Sequence, residues 1–186
     1  RSVKELIALA KAKPGQLASA TAGPGSAIQG TAELFNTMAG VNILLVPYKG
    51  AVGITDLIAG QVQTTFAGFV QTMSHVRGGR LRAIAVTSAQ RSALVPDLPT
   101  VAEAGVPGYE VNNWHAVIGP KGVPRAIVDR MHAEIGKVIR TKEMEERLRG
   151  DGVLPAPSTP EELQEQIRRE IVMWRDVVKA AGIKIQ

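Results

Sequence analysis

The turn Gly23-Pro24-Gly25-Ser26 is the part of this chain best suited to holding a charged group. It lies between a short apolar run and a helical pattern. The N–H groups of a helix's first turn have no partner inside the helix, and the helix dipole adds partial positive charge there. Several converging donors, at roughly 1.5–3 kcal/mol each, hold a carboxylate without any Arg or Lys. The same turn could instead need glycine for its geometry alone, and the sequence leaves both readings open. Two phosphate patterns are excluded. Gly25 to Thr31 spells G-x-x-x-x-G-T but lacks the lysine that reaches phosphates. Gly23 and Gly25 have no third glycine at position 28, so the dinucleotide fingerprint fails too.

Catalytic constellations are absent from the sequence. Ser26 is not in a G-x-S-x-G elbow. His75, His115 and His132 are scattered, and none pairs with another ligand at helical spacing, so no metal is implied. His115, His132, Trp114 and Trp174 read as structural residues. Glu143, Glu145 and Glu146 alternate with Lys142, Arg147 and Arg149, the pattern of a solvated helix rather than an acid/base pair. The chain has no cysteine, which removes disulfides, zinc thiolates and thiol nucleophiles. No cofactor is called for.

The elements that must position the turn follow from the hydrophobic pattern. The 186 residues are 45% hydrophobic and 21% charged, enough for a core, and no run of about 18 apolar residues occurs to span a membrane. The opening RSVKELIALAKAKPG is too charged for a signal peptide, so any export signal is expected to be already gone. Residues 1–96 hold nine Lys/Arg against Glu5, Glu33 and Asp56, whereas the remainder holds thirteen against fourteen carboxylates. Between Asp56 and Asp97 there is no carboxylate, which suits an anion or a basic solvated face. Nucleic acid fits poorly, because Phe35, Tyr48, Phe66 and Phe69 do not interleave with basic runs.

Ser2 and Glu5 form a capping box that opens a helix ended by Pro14-Gly15. Strands are expected at Leu17–Thr21, Val41–Pro47, Gln61–Phe66 and Leu81–Thr87, the second containing Ile43–Val46 as a buried parallel run. Helices alternate with them: Ser26 to about Ala39, ended by Gly40, then Ile54–Ala59 and Val70–Val76. This is the signature of a mainly parallel α/β sheet. A connector over 88–112 carries a short helix at Thr100–Ala104, and a last strand is expected at His115–Gly119. Amphipathic helices at Pro124–Ile139 and Thr159–Ala181 flank a shorter one at Thr141–Arg149. The long helix opens with the capping box Thr159-Pro160-Glu161-Glu162. One strand is not a sheet, so the second half reads as part of a lobe whose other strands lie elsewhere.

Six segments, in order, carry a resemblance. They are SVKELIALAKAKPGQL from Ser2, VPYKG at Val46–Gly50, DLIAGQVQ at Asp56–Gln63, LRAIAVTS at Leu81–Ser88, LPTVAEAGVPGYE at Leu98–Glu110 and VVKAAGIK at Val177–Lys184. Together the chain resembles the Bug-type extracytoplasmic solute receptors of tripartite tricarboxylate transporters. The resemblance implies an α/β fold like type II periplasmic binding proteins, with residues 1–110 as one complete lobe and 111–186 as the returning C-terminal part of the other. It implies a periplasmic receptor, not an enzyme, that captures a small organic anion (a carboxylate, dicarboxylate or amino acid) for membrane transporter subunits. It implies ligand contacts from Thr21, Ala22, Gly25 and Ser26, from Tyr48, Lys49 and Gly50, and from Phe66, Ala67 and Gly68. Two positions depart from the family. Ala67-Gly68 stands where an Asp-Asn pair is frequent, and Gln29 where a His is frequent.

On this reading the N-terminal half-lobe, and with it half of the cleft, lies outside the chain. The apolar faces of residues 112–186 then lack cover and favour self-association. Two other readings stay open. An effector-sensing domain of a LysR-type regulator shares the two-lobed fold, although no helix-turn-helix is present. An enzyme acting on a carboxylate would need a nucleophile or metal constellation that the sequence does not display.

Overall fold

In the computed structural model the described residues are 1–49, 53–180 and 182. Helix α1 (Val3–Ala12) starts where Ser2 Oγ accepts the Glu5 N–H at 3.2 Å, and it buries Val3 and Ala10. The chain then runs through β1 (Ala18–Thr21), α2 (Ala27–Ala39), β2 (Leu44–Pro47), α3 (Ile54–Ile58), β3 (Thr64–Thr65) and α4 (Phe69–Arg77). Gly40, at φ +60°, ends α2 in the left-handed conformation that glycine adopts without steric cost. Asn36 then clamps the way into β2. Its Nδ2 donates to the Ile43 carbonyl at 2.9 Å, and its Oδ1 accepts the Ile43 N–H at 3.3 Å.

The strands form one parallel sheet in the order β2-β1-β3, with Ala18 opposite Leu44 and Ser19 opposite Thr64. Central β1 buries Ser19, Ala20 and Thr21. The run Ile43–Val46 is not buried throughout, because β2 has a neighbour on one side only. Ile43 is covered but Leu44 is 50% exposed. Phe35 of α2 anchors the core. Its ring meets Phe66 at 5.5 Å and Tyr109 edge-on at 6.1 Å, and the Tyr109 hydroxyl donates to the Thr31 carbonyl at 2.9 Å.

Three expected elements do not form. Leu81–Thr87 is not a strand; Val86 alone makes an isolated parallel bridge to Thr100. The third strand is itself short, pairing over Ser19–Thr64 and Ala20–Thr65, and offers little ladder for a fourth. Thr100–Ala104 is a turn rather than a helix, held by a reciprocal capping box between Thr100 and Glu103. His115–Gly119 is irregular and exposed, with Val117 at 70% and Ile118 at 80%. A strand's N–H and C=O groups need a partner, and no strand among the described residues lies near it in sequence.

The chain divides into two compact units, Arg1–Asn113 with the residues from Arg175 on, and Trp114–Trp174. The second unit contains α5 (Arg125–Ile139), α6 (Lys142–Gly150) and most of α7 (Pro160–Ala180). Thr159 and Glu162 cap α7 reciprocally. Arg125 pairs with Asp129 at 2.7 Å and with Glu161, and the Trp114 indole N–H is shared by both Glu170 oxygens at 2.9 and 3.0 Å. Ile127, Met131, Val138 and Ile171 remain exposed, so these helix faces are not fully covered among the described residues.

Burial pushes the Tyr109 phenol above its ordinary value. The folded state therefore holds that proton more tightly than the unfolded chain does. Its contribution is complete below about pH 10, where a free tyrosine ionises, and is lost as pH rises beyond. Tyr109→Phe should cost about 0.5–1.5 kcal/mol at neutral pH through the lost hydrogen bond. It should also flatten the alkaline fall, which urea denaturation of both proteins between about pH 7 and 11 would read out.

Candidate functional site

All three strands end at one edge of the sheet, where Thr21 is opposite Pro47 and Ala20 opposite Thr65. The residues that follow are Ala22, Tyr48 and Phe66, so three loops open on the same edge. In the order β2-β1-β3 the chain leaves β1 toward one side and crosses to the other. The crevice beyond the strand ends at such a switch is where open α/β sheets accept ligands.

The first loop is shaped by its glycines and by Ser26. Gly23 and Gly25 adopt φ of +98° and +76°, a region closed to most side chains. Ser26 caps α2: its Oγ accepts the Gln29 N–H at 3.2 Å and donates to the Gly23 carbonyl at 2.7 Å. The hydroxyl proton is thus engaged within the loop. Gln29 closes the arrangement, its Oε1 accepting the Gly25 N–H at 3.0 Å. An amide oxygen occupies the place where a carboxylate oxygen would be welcome. Among the described residues the N–H groups of Ala22, Ala27 and Ile28 make no hydrogen bond. The first turn of α2 carries no acidic residue to compete with a bound anion.

The second loop is built around Tyr48. Its hydroxyl donates to Asp56 Oδ2 at 2.8 Å, and that bond, with burial and the Asp56 charge, raises the phenol above its ordinary value. The ring lies against Gly53, where an added Cβ would come within 2.6–2.8 Å of it. Tyr48 thereby fixes its loop with the ring and leaves the exposed Lys49 as the cation on this edge. Gly50 lies outside the described residues.

A concavity of about 360 Å³ joins these two loops, lined by Ala22, Gly23, Pro24, Pro47, Tyr48 and Lys49. Of the residues expected at the site, Ala22, Tyr48 and Lys49 meet there. Gly25 and Ser26 stand in the same loop but outside the lining, and Thr21 is buried, its Oγ1 donating to the Val46 carbonyl at 3.4 Å. Phe66, Ala67 and Gly68 lie on the other side of β1. Phe66 packs on Phe35, and Gly68 sits at the N-cap of α4 with no side chain to offer a bond. Gly23 and Pro24 belong to the turn expected to hold an anion, Gln29 was marked only as a departure from the family, and Pro47 was not anticipated. The spacing Ser26-x-x-Gln29 is that of a capping box and was the available signal for Gln29.

Ser26→Ala removes both loop bonds and should cost about 0.5–2 kcal/mol. Gly53→Ala must force a side chain onto φ +30° and against the Tyr48 ring, a loss of at least ~1–2 kcal/mol from the backbone alone. Tyr48→Phe keeps the ring and should perturb the fold less than Gly53→Ala. Chemical denaturation of the three variants checks this order.

The family described as the tripartite tricarboxylate transporter family receptor matches residues 1–183. Protein BugT of Bordetella pertussis is 34% identical over 186 residues, which take in 100% of this chain and 57% of BugT. Among solved structures, R. palustris Rpa4515 with adipate has a TM-score of 0.84 at 37% identity, covering 98% of this chain and 61% of that one. MatC (Rpa3494) from Rhodopseudomonas palustris with bound malate has a TM-score of 0.76 at 28% identity, covering 96% and 62%. The chain thus spans little more than half the length of the curated relatives it matches. These likenesses show the α/β fold of periplasmic binding proteins, and they favour neither the regulator nor the enzyme. The chain belongs to the tripartite tricarboxylate transporter receptor family, whose members are solute-binding receptors rather than enzymes.

Proposed function

We propose that this chain carries one wall of a periplasmic receptor's cleft, where the carboxylate of a small organic anion is held. The observation that carries the reading is the set of N–H groups at Ala22, Ala27 and Ile28 that make no hydrogen bond among the described residues, on the edge where the strands end and with no acid in the first turn of α2. Solved relatives named with adipate and with malate support a carboxylate or dicarboxylate as the class. The residues in play are Thr21, Ala22, Gly25 and Ser26 in the first loop, Tyr48, Lys49 and Gly50 in the second, and Phe66, Ala67 and Gly68 in the third. Ser26 and Tyr48 would act by shaping their loops, since their hydroxyls already serve neighbours. Residues 1–110 would form one lobe and 111–186 return to the other, and the loaded receptor would deliver its cargo to membrane subunits of the uptake system.

In a polypeptide of these 186 residues alone, two or so charge-assisted bonds from an opposing wall would be missing. At roughly 1.5–3 kcal/mol each, this weakens binding by about two to four orders of magnitude. Adipate or malate should therefore bind weakly, moving the amide NMR signals of Ala22, Gly25, Ala27 and Ile28 first. Gln29→Ala frees the Gly25 N–H and should tighten that binding several-fold; Lys49→Gln should loosen it. Shifts centred elsewhere on the sheet, or micromolar binding by calorimetry, would refute the arrangement.

A further inference from the structure

A second concavity, of about 680 Å³, lies away from the ligand edge, between the C-terminal end of α4 and the segment 94–98. Its lining contains three arginines, Arg77, Arg80 and Arg82, and a single carboxylate, Asp97. Among the described residues none of the three arginines makes a salt bridge, although Arg82 lies near enough to Glu5 to help lower its carboxyl. Val76, Leu81, Leu94 and Leu98 contribute a half-buried apolar floor.

Both walls are held in place. Helix α4 ends in a Schellman motif: Gly79, at φ +69°, donates to the Val76 carbonyl at 3.0 Å, and the Arg80 N–H donates to the His75 carbonyl at 2.9 Å. This sets the direction in which Arg80 and Arg82 leave the helix. The opposite wall is tied by Arg91, whose Nε donates to Glu103 Oε2 at 2.8 Å while the same carboxylate accepts the Thr100 N–H at 3.1 Å.

We infer that this trough docks a protein partner through a segment combining acidic and leucine-like side chains. Charge complementarity selects the sign, since the lining has three cations against one acid and the sequence has no carboxylate between Asp56 and Asp97. No lining residue is buried, so a small anion would stay largely wet there, whereas small-ligand pockets enclose most of their ligand. A polypeptide laid along the trough covers the apolar floor and desolvates the guanidiniums, and arginine beside apolar surface is the composition of interface anchors. No aromatic ring lines it for base stacking. Helix α4 begins beside the Phe66–Gly68 loop and ends at the trough, so a partner here leaves the ligand edge free. The surface stands on this geometry. The partner's chemistry follows from the lining and does not rest on the receptor reading.

The test is fluorescence anisotropy with the whole chain and a labelled peptide alternating Glu and Leu. It should bind, weaken as salt rises, and exceed a Lys/Leu peptide and a Glu/Ser peptide by about tenfold. The triple variant Arg77→Gln, Arg80→Gln, Arg82→Gln should lose about tenfold, with an unchanged melting curve, since all three positions are exposed. Asp97→Asn, which removes the lone acid, should gain affinity. Equal binding by the triple variant, no gain in Asp97→Asn, equal binding of the Glu/Ser peptide, or equally tight binding of pyrophosphate or phosphatidylglycerol vesicles would overturn the proposal. Adipate and the Glu/Leu peptide, each titrated into the unsubstituted chain, separate the two readings. Peptide binding without adipate binding counts against the receptor reading alone, and adipate binding without peptide binding against the trough alone.

Discussion

Parallel strand pairing constrains everything else in this molecule. Parallel neighbours cannot be joined by a hairpin, so each strand must be followed by a crossover, and every crossover leaves from the same edge. Because β1 sits between β2 and β3, loops distant in sequence are brought to adjacent strand ends. The composition of β1 makes this possible. Ala18, Ser19, Ala20 and Thr21 are small, which lets α2 approach the sheet and lets Phe35 reach Phe66 and Tyr109. Close approach has a cost as well, for among the described residues the buried Ser19 hydroxyl has no hydrogen-bond partner.

The loops use their own side chains where a ligand would be expected to contribute. Ser26 and Gln29 hold the first loop, and Tyr48 with Asp56 holds the second. A loop satisfied in this way keeps its shape without a ligand, so less ordering entropy must be spent when one arrives. On the proposed reading, an anion entering at Gly25 would exchange acceptors, a neutral amide oxygen giving way to a charged one. Charge-assisted bonds are about twice as strong as neutral ones, so the exchange would run toward the anion.

Local chemistry was legible from the residues; pairing and commitment of side chains were not. Ser2 with Glu5, Gly40, and Thr159 with Glu162 each act within four residues, and each stands where its spacing implied. The strand edge and its loops were readable too, since alternation of strands and helices implies a parallel sheet. Leu81–Thr87 and His115–Gly119 have the apolar content of strands, but a strand exists only with a partner, and partners are set by distant residues. The same limit applies to the site. A tyrosine next to a lysine on a loop looks like a donor, and nothing near it in sequence shows that its hydroxyl is already committed to Asp56, eight residues on, which accepts its hydrogen bond.

The bond between the Tyr109 hydroxyl and the Thr31 carbonyl joins residues 78 apart in sequence. Such a contact weighs on the timing of folding as much as on its end point. Each parallel pair already demands closure of a long loop, and chains dominated by non-local pairing fold more slowly than those rich in local contacts. During synthesis α1, β1 and α2 have emerged well before the aromatic ring that completes their core. At some 5–20 residues per second the ribosome delivers Tyr109 about 4–16 s after Thr31. Over that interval Phe35 lacks its edge-on neighbour, and the nascent lobe is an apolar surface awaiting its last piece, which is the state in which a chaperone has most to protect.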